Sequence, residues 1–181
     1  MEVPDQTLPA TAFEDLALPL FDQLYNFARW LTQDTAEAED LVQETYIKAL
    51  RGFSSFQAGT NFRAWIYRIL RNSFLSSRTG LKTTIALDEE AHEDLLPAES
   101  MTPESILIEK MDQEIVRQAL ADLPMAFREI LLLCEVEEMS YQEISEALTI
   151  PIGTVMSRLF RARRELRDLL SKKGDGGRHG V

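Results

Sequence analysis

Apolar residues recur at three- and four-residue steps along most of this chain, the spacing that gathers them on one face of an α-helix. From Phe13 to Leu31 the set is Phe13, Leu16, Leu20, Phe21, Leu24, Phe27, Ala28 and Leu31, and Pro19 is placed to bend or split that helix. Asp34, with Glu37 three residues on, predicts the cap of a second helix that turns Ala38, Leu41, Val42, Tyr46, Ile47 and Leu50 inward and stops at Gly52. A third begins near Asn61 and buries Phe62, Trp65, Ile66, Ile69 and Leu70, leaving Arg63, Tyr67, Arg68, Arg71 and Asn72 on its other sides. From Arg78 to about Met101 the periodicity disappears into Thr, Ser, Gly, Pro and acids, a composition that cannot bury a core. Thr102 then caps a helix with Pro103 at its first position and an apolar set running from Ile106 to Leu120. Leu123-Pro124 breaks it, and a further helix from Met125 to Val136 packs Phe127, Ile130, Leu131 and Cys134.

The next stretch carries the strongest local signal. Ser140 and Glu143 form a capping box that starts a short helix with Ile144, Ala147 and Leu148 at helical spacing. Thr149-Ile150-Pro151 ends it, because proline disfavours the helical conformation in the residue before it. A second helix starts near Ile152 and lines up Val155, Leu159, Ala162, Leu166 and Leu169 on one side. Its other side holds Ser157, Phe160, Arg161 and Arg164, flanked by Arg158, Arg163 and Arg167. This is the pattern of a helix-turn-helix, whose second helix offers guanidinium forks to phosphates and guanine edges. The chain is therefore expected to be all-α, with two small helical domains joined by a flexible acidic linker and the helix-turn-helix in the second. The expected divisions are a frayed 1–12, a first domain 13–80, a linker 81–101, a second domain 102–171 and a disordered tail 172–181.

Charge sharpens this picture. The 181 residues carry a net charge of -11, which opposes simple non-specific binding to a phosphate backbone. Bases are nevertheless concentrated: five between Asn61 and Lys82 with no acid, and seven between Thr154 and Lys173 against two acids. The intervening 83–112 holds nine acids and one lysine. In and just before the first basic island, aromatics mixed with arginines suit unpaired bases, and Phe56 and Asn72 are the candidates for base contact, with Trp65 assigned to the core. The outward positions Glu39, Asp40, Gln43 and Glu44 make an acidic and amide face suited to a basic partner surface.

The segments Ala38-Glu-Asp-Leu-Val-Gln-Glu-Thr-Tyr46 and Asn61-Phe-Arg-Ala-Trp-Ile-Tyr-Arg-Ile69, followed in order by the helix-turn-helix, resemble the extracytoplasmic-function sigma factors of bacteria over about residues 13 to 171. The resemblance implies sigma region 2 followed by region 4 and no catalytic activity. It implies that Asp40, Leu41, Gln43 and Glu44 dock on the clamp coiled coil of core RNA polymerase. It places Phe56, Asn61, Arg68, Arg71 and Asn72 at the minus-ten element, where a base leaves the stack. It places Thr154, Ser157, Arg158, Phe160, Arg161, Arg163 and Arg164 at the minus-thirty-five element, with Met156 standing where some members carry a basic residue. The linker corresponds to the segment that threads the polymerase channel, where its acids would mimic nucleic acid. The first-domain segments look most like the subgroup held inactive by zinc-binding, redox-sensing anti-sigma factors, so the implied partners are core polymerase, promoter DNA and such an anti-sigma protein.

Other classes find less support. His92 and His179 fall in the linker and tail, and no glycine-rich phosphate loop or catalytic cluster is present, so no enzyme, cofactor or metal site is expected. The single cysteine, Cys134, allows no internal disulfide and is read as a core residue. The absence of a signal-like start or a membrane-length apolar run makes the expected location cytoplasmic, without membrane insertion. The alternative is a free-standing helix-turn-helix regulator, which would bind duplex DNA without polymerase, usually as a dimer on paired half-sites.

Overall fold

The structure is a computed structural model and describes residues 10–79 and 113–176. The linker 81–101, the helix start at Thr102 and the histidines lie outside the described residues. All regular structure within them is helical. The elements are α1 (Ala10–Ala17), α2 (Phe21–Thr32), α3 (Thr35–Gly52), α4 (Phe62–Thr79), α5 (Gln113–Asp122), α6 (Met125–Leu131), α7 (Tyr141–Leu148) and α8 (Ile152–Gly176). Among the described residues, 10–79 with 142–150 form one compact unit and 113–141 with 151–176 form the other.

The first unit follows from its breakers and caps. Pro19 does split the first apolar run: α1 stops at Ala17, a single 3-10 turn covers Leu18–Leu20, and α2 resumes at Phe21. Gln33, in the left-handed region at φ 59, ends α2 with its amide on the Arg29 carbonyl. Asp34 then starts α3 as expected, its Oδ1 accepting from the Glu37 amide at 2.8 Å. Helix α3 packs between α2 and α4, burying Ala38, Leu41, Val42, Thr45 and Ala49. Thr45 tolerates full burial because its hydroxyl donates to the Leu41 carbonyl at 2.7 Å.

Four expected core assignments fail here. Ile47 and Leu50 are 51% and 54% exposed, and the inward face of α3 continues through Thr45 and Ala49 instead. Leu16 and Phe21, also expected in the core, are exposed as well. An apolar residue set that wraps more than one helix face can satisfy the period in two phases, and α3 turns Ala38, Leu41, Val42, Thr45 and Ala49 inward.

Tyr46 ties α3 to the end of α1: its hydroxyl donates to the Ala17 carbonyl at 2.6 Å. Burial, helped by the nearby Asp22 carboxylate, pushes its pKa up to about 12. A raised folded-state value means the stabilisation is complete below the unfolded value of about 10 and is lost as pH rises from there towards 12. We expect the wild-type chain to lose stability over that window by about 1 kcal/mol more than Tyr46→Phe, in urea titrations at stepped pH. Parallel pH profiles would remove Tyr46 as the cause.

In the second unit, Pro124 separates α5 from α6 and accepts from the Phe127 and Arg128 amides at 2.9 and 3.0 Å. Arg128 folds back over the end of α5, donating to the carbonyls of Leu120, Ala121 and Leu123 at 2.9, 2.6 and 3.2 Å. One guanidinium thereby satisfies three carbonyls at the negative end of that helix. After α6 the chain makes a π-helical turn, Leu132–Val136, closed by the Glu137 amide on the Leu132 carbonyl at 2.9 Å. Glu138 follows in the left-handed region at φ 51. Helix α8 packs on both α5 and α6, and buries Val155, Leu159, Ala162 and Leu166.

Candidate nucleic-acid and partner interfaces

On α3, the residues Asp40, Gln43 and Glu44 are exposed on the side opposite the core, with Glu39 beside them. Leu41, expected in the docking set, is turned inward instead and buried with Ala38 and Val42. Ile47 and Leu50 are exposed, and steps of three and four from Asp40 and Gln43 carry the outer stripe onto them. The exposed stripe is thus apolar at its C-terminal half and acidic at its N-terminal half.

The loop before α4 is held from beneath by an aromatic cluster. Phe53 follows α3 in a 3-10 turn and stacks parallel to Phe56, centroids 5.9 Å apart. Phe62 stands edge-on to Phe53, Phe56 and Phe13 at 6.1, 5.3 and 6.2 Å. Phe56, expected to touch a base, is only 9% exposed, and this cluster is the reason: three rings enclose it. Trp65, assigned to the core, is half-buried at the edge of the same cluster, 5.1 Å from Phe56. The residues open to solvent are Gln57, Ala58, Gly59 and Thr60, with Gly59 at φ 88, a conformation suited to glycine. Their exposure had no sequence signal beyond the turn composition.

Asn61 begins α4, its Oδ1 accepting from the Ala64 amide at 3.0 Å. On the same helix Arg68 and Arg71 are half-exposed and Asn72 is exposed, while Tyr67 is buried against Phe27 instead of facing outward. Arg63 lies over the Tyr67 ring at 5.8 Å.

The helix-turn-helix is drawn by local bonds. Helix α7 starts one residue after Ser140, and Ile144, Ala147 and Leu148 are buried as expected. Ser145 pins the turn twice: its hydroxyl donates to the Ile150 carbonyl at 2.6 Å and its carbonyl accepts the Ile150 amide at 3.1 Å. Thr149 between them is left-handed at φ 57. Pro151 opens α8, its carbonyl accepting the Val155 amide at 3.0 Å.

On α8, Phe160, Arg161 and Arg164 are exposed, and Thr154, Ser157 and Arg158 are half-exposed. The Ser157 hydroxyl donates to the Thr154 carbonyl at 3.2 Å. Arg163 departs from the expected phosphate-facing set, because Nε and Nη2 both donate to Glu135 Oε1, at 3.1 and 2.7 Å, and Nη2 also reaches Cys134 Sγ at 3.6 Å. Burial works against its charge, but the Glu135 carboxylate holds its pKa above the ordinary value. Cys134 is half-buried rather than core; burial and then Glu135 push its thiol up, against the pull of Arg163. No cluster of three or more potential metal ligands occurs among the described residues, and no helix there is long and apolar enough to cross a membrane.

Residues 19–83 match the family described as Sigma-70 region 2, and residues 113–166 match Sigma-70, region 4. The chain is 38% identical over 163 residues to the ECF RNA polymerase sigma factor SigE of Mycolicibacterium smegmatis, covering 89% of this chain and 62% of that protein's length. It is 32% identical over 162 residues to the RNA polymerase sigma factor YlaC of Bacillus subtilis, covering 89% of this chain and 93% of that one. Among solved structures, it is similar to the sigma factor RpoE of Bartonella quintana, in complex with the anti-sigma factor NepR. That likeness has a TM-score of 0.69 and 30% identity and covers 89% of this chain and 98% of the other.

Proposed function

The chain belongs to the extracytoplasmic-function sigma factors, alternative sigma factors of the sigma-70 family, and on that premise we propose how its surfaces divide the work of transcription initiation. The α3 stripe of Asp40, Gln43, Glu44, Ile47 and Leu50 docks on the clamp of core RNA polymerase. Its acidic N-terminal half and apolar C-terminal half suit a partner surface that is basic at one end and apolar at the other. The loop 57–60, with Trp65, Arg68, Arg71 and Asn72, holds the opened minus-ten strand; unstacking a base costs a few kcal/mol, which the contacts of a pocket must offset. The basic face of α8 reads the minus-thirty-five element in the major groove.

The observation that carries this reading is the presence on one acidic chain of solvent-accessible arginines on both α4 and α8 together with an exposed acidic and apolar stripe on α3. A net charge of -11 keeps the chain weak on DNA alone, and polymerase supplies the missing affinity. An anti-sigma protein holds the chain inactive until a stress signal. The likeness to a sigma factor solved with NepR supports that kind of control, and the subgroup resemblance in 38–72 supports a zinc-binding partner. The setting is the cytoplasm.

The test is transcription in vitro from fragmented genomic DNA with core polymerase and the purified chain, mapping the starts. Starts that share a two-part upstream motif establish the reading. Tight duplex binding by the chain alone, with no core-dependent starts, favours the free-standing regulator. Within the sigma reading, Asp40→Ala combined with Gln43→Ala should weaken core binding about tenfold without altering the start positions. Unchanged affinity in a fluorescence titration would move the docking surface off α3.

A further inference from the structure

Glu143, expected from the sequence to cap α7, carries a bond that the sequence does not announce. Its Oε1 accepts from the side-chain amide of Asn61, Nδ2, at 3.0 Å, across 82 residues of chain. Both residues belong to the first compact unit, which gathers 142–150 with 10–79. Asn61 faces two ways. Its Oδ1 accepts the Ala64 amide at 3.0 Å and caps α4, which leaves the amide nitrogen as the only donor of the side chain, turned to Glu143. That donor has a competing use. Asn61 joins the exposed loop 57–60 to α4, with the half-exposed Arg68 and Arg71 further along the helix. The acceptors of a single strand, base carbonyls and phosphate oxygens, seek the same amide. A carboxylate placed there stands in for such an acceptor and repels phosphate.

We propose that the Asn61–Glu143 bond is an autoinhibitory contact: in the free chain a carboxylate of α7 occupies the head of the α4 site, and the opened strand and Glu143 compete for one amide. This rests on the assignment of loop 57–60 and α4 to the minus-ten strand and adds a control on that site that needs no second protein. A hydrogen bond to an ionised acceptor is stronger than one to a neutral oxygen, so the carboxylate is an effective competitor. The two states exclude each other, and the apparent affinity for the strand falls in proportion to the fraction of chains in which the contact is open. The bond is only part-buried, so breaking it should raise that affinity about fivefold, less than a fully buried charged bond would give.

The probe is the fluorescein-labelled nontemplate strand of the minus-ten element from a mapped promoter, with a scrambled strand beside it, titrated by anisotropy with the full chain alone. Glu143→Ala should tighten binding of the mapped strand about fivefold. Glu146→Ala removes the same charge from the same helix without touching Asn61, since Glu146 is exposed and bonded to Gln142, and should change affinity by less than about twofold. Asn61→Ser keeps a capping oxygen on α4 and loses the amide, so in that background Glu143→Ala should add no more than Glu146→Ala does. Should Glu143→Ala loosen α7, Glu143→Gln keeps the capping oxygen of that helix. In either Glu143 variant the side-chain amide resonance of Asn61, identified by its loss in Asn61→Ser, should shift in the spectrum of the free chain. The proposal is overturned if Glu143→Ala and Glu146→Ala act alike, if the gain from Glu143→Ala survives in Asn61→Ser, or if neither Glu143 variant moves the Asn61 resonance. In each of these cases the mapped strand is still preferred to the scrambled one and the minus-ten assignment stands. Equal binding of the two strands by every variant, or absence of core-dependent starts from which to map a promoter, overturns both.

Discussion

Arg161→Ala is expected to reduce transcription from a promoter that depends on its minus-thirty-five element by roughly 10- to 100-fold, the range of one bidentate guanidinium-to-base contact. Arg161 is fully available for such a contact: it is exposed on α8 and has no ion pair among the described residues. Arg163, two residues on, provides the internal comparison, since its fork is already committed to Glu135. Arg163→Ala should therefore act mainly on the packing of α8 against the π-helical turn, with a smaller effect on promoter choice. Run-off transcription, with core affinity measured in parallel, separates the two. If Arg161→Ala weakens core binding as much as it weakens transcription, the groove-reading assignment is lost.

The largest stability effect is expected at Phe62. Phe62→Ala should destabilise the first unit by about 3–5 kcal/mol, the usual range for emptying a large aromatic site that neighbours cannot refill. Its ring touches those of Phe13, Phe53, Phe56 and Trp65, contributed by α1, the turn after α3, the loop and α4. Removing it leaves four rings without their common neighbour and the loop 57–60 without its floor. Urea denaturation, followed by far-UV circular dichroism and tryptophan fluorescence, measures the loss. A cost below about 1 kcal/mol would mean that the cluster is not a core. The same variant should fail in promoter melting, because the loop rests on that ring.

The loop before α4 shows where reading from sequence alone goes astray. Phe56 sits among Ser, Gln, Ala, Gly and Thr, a setting that predicts an exposed ring, and yet Phe53 and Phe62 enclose it. Phe13 supports the same cluster from 40 or more residues away, and such a contact leaves no periodic trace near Phe56. Trp65 fits the helical stripe of α4 and is pushed to its edge because Phe62 and Phe56 occupy the centre. Along α3 the outer stripe from Asp40 through Gln43 was legible, but its continuation into Ile47 and Leu50 was not. Two apolar residues at a partner surface look the same in sequence as two residues of a core.

By itself the sequence determined the helical class, the break at Pro19, the cap at Asp34, the stop at Gly52 and the helix-turn-helix with its basic outer face. These are local matters: a proline without an amide proton, a carboxylate within reach of an orphan amide, and a period set by 3.6 residues per turn act within a few residues of themselves. Only the tertiary structure decided which phase of α3 turns inward, which aromatic of the loop is enclosed, and that Arg163 folds onto Glu135 while Arg161 stays free of ion pairs among the described residues. Each of those outcomes depends on which distant side chain fills the adjoining space, and close packing admits one solution where periodicity allows several.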